Sequence, residues 1–333
     1  MKDEKIVVLG DVHFTPDTLE LATVSLSRAM EYAKRLNLPV ILNGDTLDTK
    51  AIIRAECANR LIALLDNKDN PRVIVNTGNH DLIAEKGKDS SLNFLRPYVE
   101  VIGLPTYDKA LDIWIIPYQS NADTLAEVLK NIPTLSTVFV HQGVQGAKMG
   151  HYATDHSSLS PHLYARFRTI GSHYHQAQDI GCGPDRGNCV GTFSYCGSPY
   201  TMNFGEAHDG PKGFRVLTAS GDLRMRQLDL RRHIIVERTY DTVMERIPSV
   251  RAIDKVWLKV SGPTAKLDTL DKDAIGQALL GHSNFKLDKI PTDAPQKEEI
   301  ETLPKTFREN MLRLISNSPD EDALKGTFED LTR

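Results

Sequence analysis

The sequence predicts an α/β protein, a two-sheet α/β sandwich with a small α+β capping domain and C-terminal helices. Three observations lead there. Short apolar runs, Ile6-Val7-Val8-Leu9, Pro39-Val40-Ile41-Leu42 and Val73-Ile74-Val75, alternate with stretches of helical periodicity, the pattern of parallel strands covered on both faces. Farther on, Phe193-Ser194-Tyr195-Cys196-Gly197-Ser198-Pro199 and Lys212-Gly213-Phe214-Arg215-Val216-Leu217 read as antiparallel strands, which calls for a second sheet. At 333 residues the chain exceeds the usual single-core size, so a smaller domain is expected beside a large one.

The elements follow in order. Lys5 to Gly10 is the first strand, and a helix from Asp17 to Leu36 comes next, with Asp17 as cap and Leu19, Leu26, Met30 and Ala33 on one face. The second strand precedes a helix from Lys50 to Leu65, which leads to Val73-Ile74-Val75. Leu111 to Pro117 reads as a strand, Ala122 to Leu129 as a helix, and Thr137-Val138-Phe139-Val140 as a strand. Gly143 to Pro161, with His151 and His156, reads as a loop beside the site. Arg166 to Ile170 then runs into a pair of histidines.

Motifs stand at the ends of these runs. Gly10-Asp11-Val12-His13, Gly44-Asp45-Thr46-Leu47-Asp48 and Gly78-Asn79-His80-Asp81 each follow an apolar strand, and His141 and His173-Tyr174-His175 follow later ones. Open α/β sheets place their ligands just past the carboxyl ends of strands. Two aspartates, one amide and four histidines form an oxygen and nitrogen donor set suited to first-row divalent ions. We read it as a two-metal site: Asp11, His13 and His175 for one ion, Asn79, His141 and His173 for the other, and Asp45 as the bridge. Two such cations bring four positive charges, and two aspartates with a bridging hydroxide remove three. The remainder suits an anionic phosphate. A His-x-His on an extended segment would turn both rings to one face and Tyr174 to the other.

His80 is expected to act on the scissile phosphate rather than to ligate, stabilising the transition state or protonating the leaving oxygen. Asp81 reads as an orienter of His80 or a turn residue. Asp48 reads either as a support for the site or as the cap of the next helix.

Asp-x-His, Gly-Asp-x-x-Asp, Gly-Asn-His-Asp, His and His-x-His, in that order, resemble the calcineurin-like metallophosphoesterase family. The resemblance covers about the first half of the chain, and one departure is visible. The family usually writes Gly-His-x-His, whereas Ser172 separates Gly171 from His173 here. Gly197-Ser198-Pro199, Phe204-Gly205-Glu206 and Lys212-Gly213-Phe214 further resemble the SbcD-type DNA repair and recombination nucleases of bacteria and bacteriophages, although turn chemistry alone could place such residues. That resemblance implies manganese as the working metal, with magnesium, iron or zinc also compatible with the donors. It also implies 3′ to 5′ exonuclease action on duplex ends and endonuclease action on single strands.

On this reading residues 1–229 form the nuclease domain, 230–287 a capping domain, 288–300 a linker and 301–333 a helical segment that binds the partner. Arg224, Arg226, Arg231 and Arg232 precede the strand Ile234-Ile235-Val236 and either contact DNA phosphates or line a solvated strand. Lys255 to Val260 is another strand, and a helix is expected at 271–280. Near the end of the chain, Phe307, Met311, Leu314 and Ile315, then Leu324, Phe328 and Leu331, fall at helical spacing. The resemblance makes these faces the dock for an SbcC-type SMC-like ATPase, in a homodimer within a heterotetramer, with packing on the chain's own core as the competing view. Rival readings are a phosphomonoesterase or small-molecule phosphodiesterase of the same fold, and a non-catalytic subunit.

Composition bounds the rest. A net charge of −4 argues against a uniformly basic nucleic-acid coat. Four cysteines without a paired Cys-x-x-Cys read as plain thiols. An N-terminus that enters a strand at once, and no apolar run of membrane length, lead us to expect a cytoplasmic protein.

Overall fold

The computed structural model describes residues 3–83, 89–151, 153–181, 191–245, 251, 253–270 and 285–293. Cys182, Cys189, the helix expected at 271–280 and the whole C-terminal segment, with Phe307, Met311, Leu314, Ile315, Leu324 and Phe328, lie outside the described residues. Among those described, no helix is long and apolar enough to cross a membrane.

Two mixed six-stranded sheets stack face to face. In the first, β1 (Glu4–Leu9), β2 (Val40–Asn43), β3 (Val73–Asn76) and β4 (Glu100–Ile102) run parallel, and β11 (Gly213–Thr218) and β12 (Leu223–Gln227) extend it antiparallel beyond β1. In the second, β6 (Ile113–Ile116), β7 (Thr137–His141), β8 (Arg168–Ser172) and β10 (Thr192–Tyr195) run parallel. The antiparallel strands β5 (Thr106–Asp108) and β9 (Gln178–Ile180) close its edges. Helices α1 (Leu19–Leu36) and α2 (Ala55–Leu65) cover the first sheet, and α3 (Ala122–Lys130) covers the second.

The strand period explains the layering. Val7, Leu9, Val40, Leu42, Val73 and Val75 face the helices, while their neighbours Ile6, Val8, Ile41 and Ile74 point the other way and meet Ile113, Ile115, Phe139 and Ile170 between the sheets. A run of apolar residues on both faces therefore marks a strand buried on both sides. Helix α1 starts at Leu19, after Thr18, instead of at Asp17, and makes no side-chain cap. Helix α2 starts at Ala55, not Lys50.

The expected antiparallel pair of the second sheet needs correction. Strand β10 belongs to that sheet but lies parallel to β8, and β11 belongs to the first sheet, antiparallel to β1. Phe214 and Val216 sit in the helix-side core and Leu217 in the inter-sheet core, so β11 is double-faced like β1 and fits the unfilled edge beside it.

Beyond the sandwich, β13 (His233–Thr239), β14 (Lys255–Gly262) and β15 (Phe285–Pro291) form a parallel three-stranded sheet. Helices α4 (Tyr240–Glu245) and α5 (Thr264–Leu267) accompany it, with a core of its own around Val256, Leu258 and Val260. Strand β15 continues through Asp288 to Pro291, so the linker expected from 288 begins as strand. The ladder to Ser261 and Gly262 holds it there despite its charges and proline.

Buried amide side chains carry polar bonds across the sandwich. At the end of β2, the Asn43 side-chain amide donates to the Val140 carbonyl (3.0 Å), the Ile170 carbonyl (3.3 Å) and Ser172 Oγ (3.1 Å), all on the second sheet. At the end of β3, the Asn76 amide donates to Asn43 Oδ1 (3.0 Å) and to the Ile116 carbonyl (3.2 Å). Both residues are fully buried. Asn43→Ala should cost about 1–3 kcal/mol in denaturant unfolding, because it removes one acceptor of the buried Asn76 amide and opens the joint. An unchanged midpoint and slope would contradict that role.

Candidate metal centre

The carboxyl ends of β1, β2, β3, β7 and β8 meet at one edge of the sandwich, and the motifs lie in the loops just past them. These loops are tied to each other. Asp11 N–H donates to the Gly44 carbonyl (3.3 Å), His13 N–H to the Asp45 carbonyl (3.0 Å) and Phe14 N–H to the Thr46 carbonyl (2.9 Å). From across the sandwich, His173 N–H donates to both Asp11 carboxylate oxygens (3.0 and 3.2 Å).

Tight convergence demands unusual backbone. Among the described non-glycine residues at positive φ are Asp11 (51°), His13 (46°), Asp45 (49°) and His173 (118°). Each such conformation costs about 1–3 kcal/mol and persists only where its surroundings enforce it. For the same reason His173-Tyr174-His175 is a bend after β8, not the extended segment expected from its spacing. Tyr174 is turned into the core, where its hydroxyl donates to Asp155 (2.5 Å) and so ties the 143–161 loop to the histidine pair.

The expected donors form two clusters, and His13 also groups with Asp48 and His80. Ligand atoms of Asp11, His13 and His175 lie within 4.8 Å of one another, and so do those of Asp45, His141 and His173. Asn79 completes the second group, with its Oδ1 3.1 Å from His141 Nε2 and 2.9 Å from His173 Nδ1. Asp45 lies between the two: Oδ2 is 3.1 Å from His141 Nε2 and 3.8 Å from His13 Nε2, while Oδ1 accepts from His80 N–H (2.8 Å). The structure thus brings together all seven side chains singled out as ligands, and the donor set suits divalent cations.

Two observations test whether a cation fits. His141 Nδ1 faces the Asn43 carbonyl (3.0 Å), which can only accept, so Nδ1 carries a proton and a neutral ring would aim its Nε2 lone pair at oxygens of Asp45 and Asn79. Positive charge must sit there. Buried His13 Nε2 makes no hydrogen bond, while Asp48 Oδ1 stands 3.1 Å from Nδ1; such an orphaned buried nitrogen marks a place for an ion.

Electrostatics agree. Burial works against it, but the Asp45 carboxylate raises His141 to about 9, and His141 and His13 in turn hold the Asp45 carboxyl well below its usual range. Burial and the neighbouring His141 push His173 down to about 4. The field of the two buried aspartates calls for a cation in place of that proton.

Two further carboxylates, Asp81 and Asp48, stand around these donors. Asp81, fully buried, accepts from the backbone N–H of Gly78 (2.9 Å), Leu47 (2.9 Å) and Thr46 (3.3 Å), so it clamps the second motif to the third and does not orient the His80 ring. Asp48 stands well before α2 and caps nothing; its carboxylate faces His13 and its carbonyl accepts from His80 Nδ1 (2.6 Å). His80 keeps 39% of its side chain exposed, which leaves it open to a substrate.

Arg224 is paired with Asp3 (2.9 Å), and Arg226 with Glu4, so both are neutralised within the fold. Arg232 donates to the Asp209 carbonyl (2.8 Å), and Arg231 stands beside it in a cavity at the foot of the third sheet. Sequence reasoning missed Glu206 and Lys212 as partners of the site. Glu206 Oε1 accepts from His175 Nδ1 (2.8 Å), and the buried Lys212 ammonium donates to Glu206 (3.1 Å), Asp209 (2.8 Å), Ser198 (2.9 Å) and the His175 carbonyl (2.8 Å). The only signal was their presence in Phe204-Gly205-Glu206 and Lys212-Gly213-Phe214.

The family model described as calcineurin-like phosphoesterase covers residues 4–175, which include all seven converging side chains and His80. No curated protein matches the chain significantly.

Gly44 allows the approach of the sheets, because a Cβ there would stand 2.1 Å from His141 Nδ1 and its φ of +89° disfavours any side chain. Gly44→Ala should displace His141 and weaken manganese binding at least about 10-fold by titration calorimetry. Wild-type affinity in this variant would contradict the packing described.

Proposed function

The chain belongs to the calcineurin-like phosphoesterase family, and from that premise we propose that it is a two-metal DNA nuclease of the SbcD type, working with an SbcC-type ATPase subunit. Family membership makes it a metal-dependent phosphoester hydrolase. The observation that carries the reading is the half-exposed His80 standing directly beside two clusters of inward-facing donors.

In this proposal Asp11, His13 and His175 would hold one ion, Asn79, His141 and His173 the other, and Asp45 would serve both. When bound, the ions supply Lewis acidity towards the phosphate and lower the pKa of a water molecule. The chain's own residues do the rest. Asp81 and the loop-to-loop bonds fix the donors before substrate arrives, so no reorganisation is needed during the reaction. His80 commits its Nδ1 proton to the Asp48 carbonyl, which leaves Nε2 as the nitrogen that can carry a proton to the leaving oxygen.

The choice of DNA as substrate rests on the SbcD-like segments and on the third sheet. That sheet meets the core through Phe204, whose ring packs edge-on against Trp257 (5.5 Å) and His233 (4.9 Å), two residues from Glu206. A domain seated beside the centre suits a long substrate. With Arg224 and Arg226 already paired, Arg231 and Arg232 are the better candidates for phosphate contacts. Manganese as the working metal, and the amphipathic C-terminal segment as the dock for the ATPase, belong to the same proposal.

Linear duplex and circular single-stranded DNA, each incubated with manganese, magnesium or chelator, test it. Cleavage with manganese and none with chelator is expected, and His80→Ala should lower kcat by about 10²–10⁴ while manganese stoichiometry stays at the wild-type value. Hydrolysis of para-nitrophenyl phosphate with both DNAs intact would overturn the nuclease reading in favour of a phosphomonoesterase.

A further inference from the structure

The two clusters of donors are backed by different groups. In the first, His175 donates its Nδ1 proton to a carboxylate, Glu206 Oε1 (2.8 Å), and His13 has the Asp48 carboxylate 3.1 Å from its Nδ1. In the second, His141 donates to a neutral backbone carbonyl, that of Asn43 (3.0 Å), and His173 Nδ1 faces Asn79 Oδ1 (2.9 Å), itself a donor of the same cluster. A carboxylate behind an imidazole makes the opposite nitrogen a stronger donor and fixes the ring, whereas a carbonyl does so less.

Glu206 is itself held firmly. It is buried, and Lys212, also buried, bonds to it, to Asp209 and to Ser198. Two carboxylates around one ammonium leave a net negative charge behind His175. Moreover, Lys212 donates to the His175 carbonyl (2.8 Å), and so does Ser198 N–H (3.0 Å), which fixes the backbone of the same residue.

We propose that the two ion positions differ in affinity, that the one at Asp11, His13 and His175 is the tighter, and that Glu206 is the positioning residue that makes it so. The inference rests on the two-metal reading above and adds an order of loading: this position fills first, and the one at Asn79, His141 and His173 fills at higher metal concentration.

The test is calorimetric titration of the metal-stripped full chain with manganese chloride. Wild type should show two classes of site. Glu206→Gln keeps the shape and removes the charge, and should weaken the tighter class by about 10- to 100-fold with the weaker class changed less than about 2-fold. Lys212→Gln removes the charge that offsets Glu206, so it should leave the tighter class as tight as before or tighter. Equal weakening of both classes by Glu206→Gln, or no weakening at all, overturns the proposal. So does a Lys212→Gln variant that loses the tighter class as Glu206→Gln does, because the cluster would then only hold the loop in place. A wild-type chain that takes up no manganese overturns the two-metal reading itself.

Discussion

The structure depends on the polar joint between the two sheets at their carboxyl ends. Stacked sheets are ordinarily held by apolar side chains that are indifferent to sliding, and Ile6, Ile41, Ile74, Phe139 and Ile170 supply that layer here. Hydrogen bonds are directional. The amides of Asn43 and Asn76 reach Val140, Ile170, Ser172 and Ile116 and so fix one sheet against the other at the edge where the motifs emerge. The Asn43 carbonyl also takes the Nδ1 proton of His141, so the residue that aligns the sheets sets the tautomer of a metal-facing ring.

Alignment makes the strained loops possible. Four site residues occupy left-handed backbone, and each is held by bonds that cross between loops: Asp11 by Gly44 and His173, His13 by Asp45, and Asp45 by His80. The cost of that backbone is met by burial of the same loops, and the result is a donor set preformed before any ion arrives.

Much of this was legible in the sequence. Strands buried on both faces leave continuous apolar runs, and the polar residues that interrupt them at strand ends are conspicuous, which is why the convergence of Asp11, His13, Asp45, Asn79, His141, His173 and His175 could be anticipated. The rest was hidden for physical reasons. Asn43 and Asn76 look like the first loop residues after a strand, since nothing local reveals a partner about 97 or 40 positions away. Ser172 reads as a departure from a family pattern, yet its hydroxyl receives the Asn43 amide. The Glu206 and Lys212 cluster forms only when distant loops pack. The sheet that claims β11 is likewise set by which edge is free, not by its own sequence. Nor does charge patterning reveal that the arginines of β12 meet Asp3 and Glu4 from near the start of the chain.

The central claim, that these seven side chains surround a pair of cations, is met most directly by anomalous diffraction from crystals soaked in manganese. The account predicts two peaks, one among Asp11, His13 and His175 and one among Asn79, His141 and His173, with Asp45 touching both. A map with no peak at this edge of the sandwich, or with manganese bound only elsewhere, would contradict it.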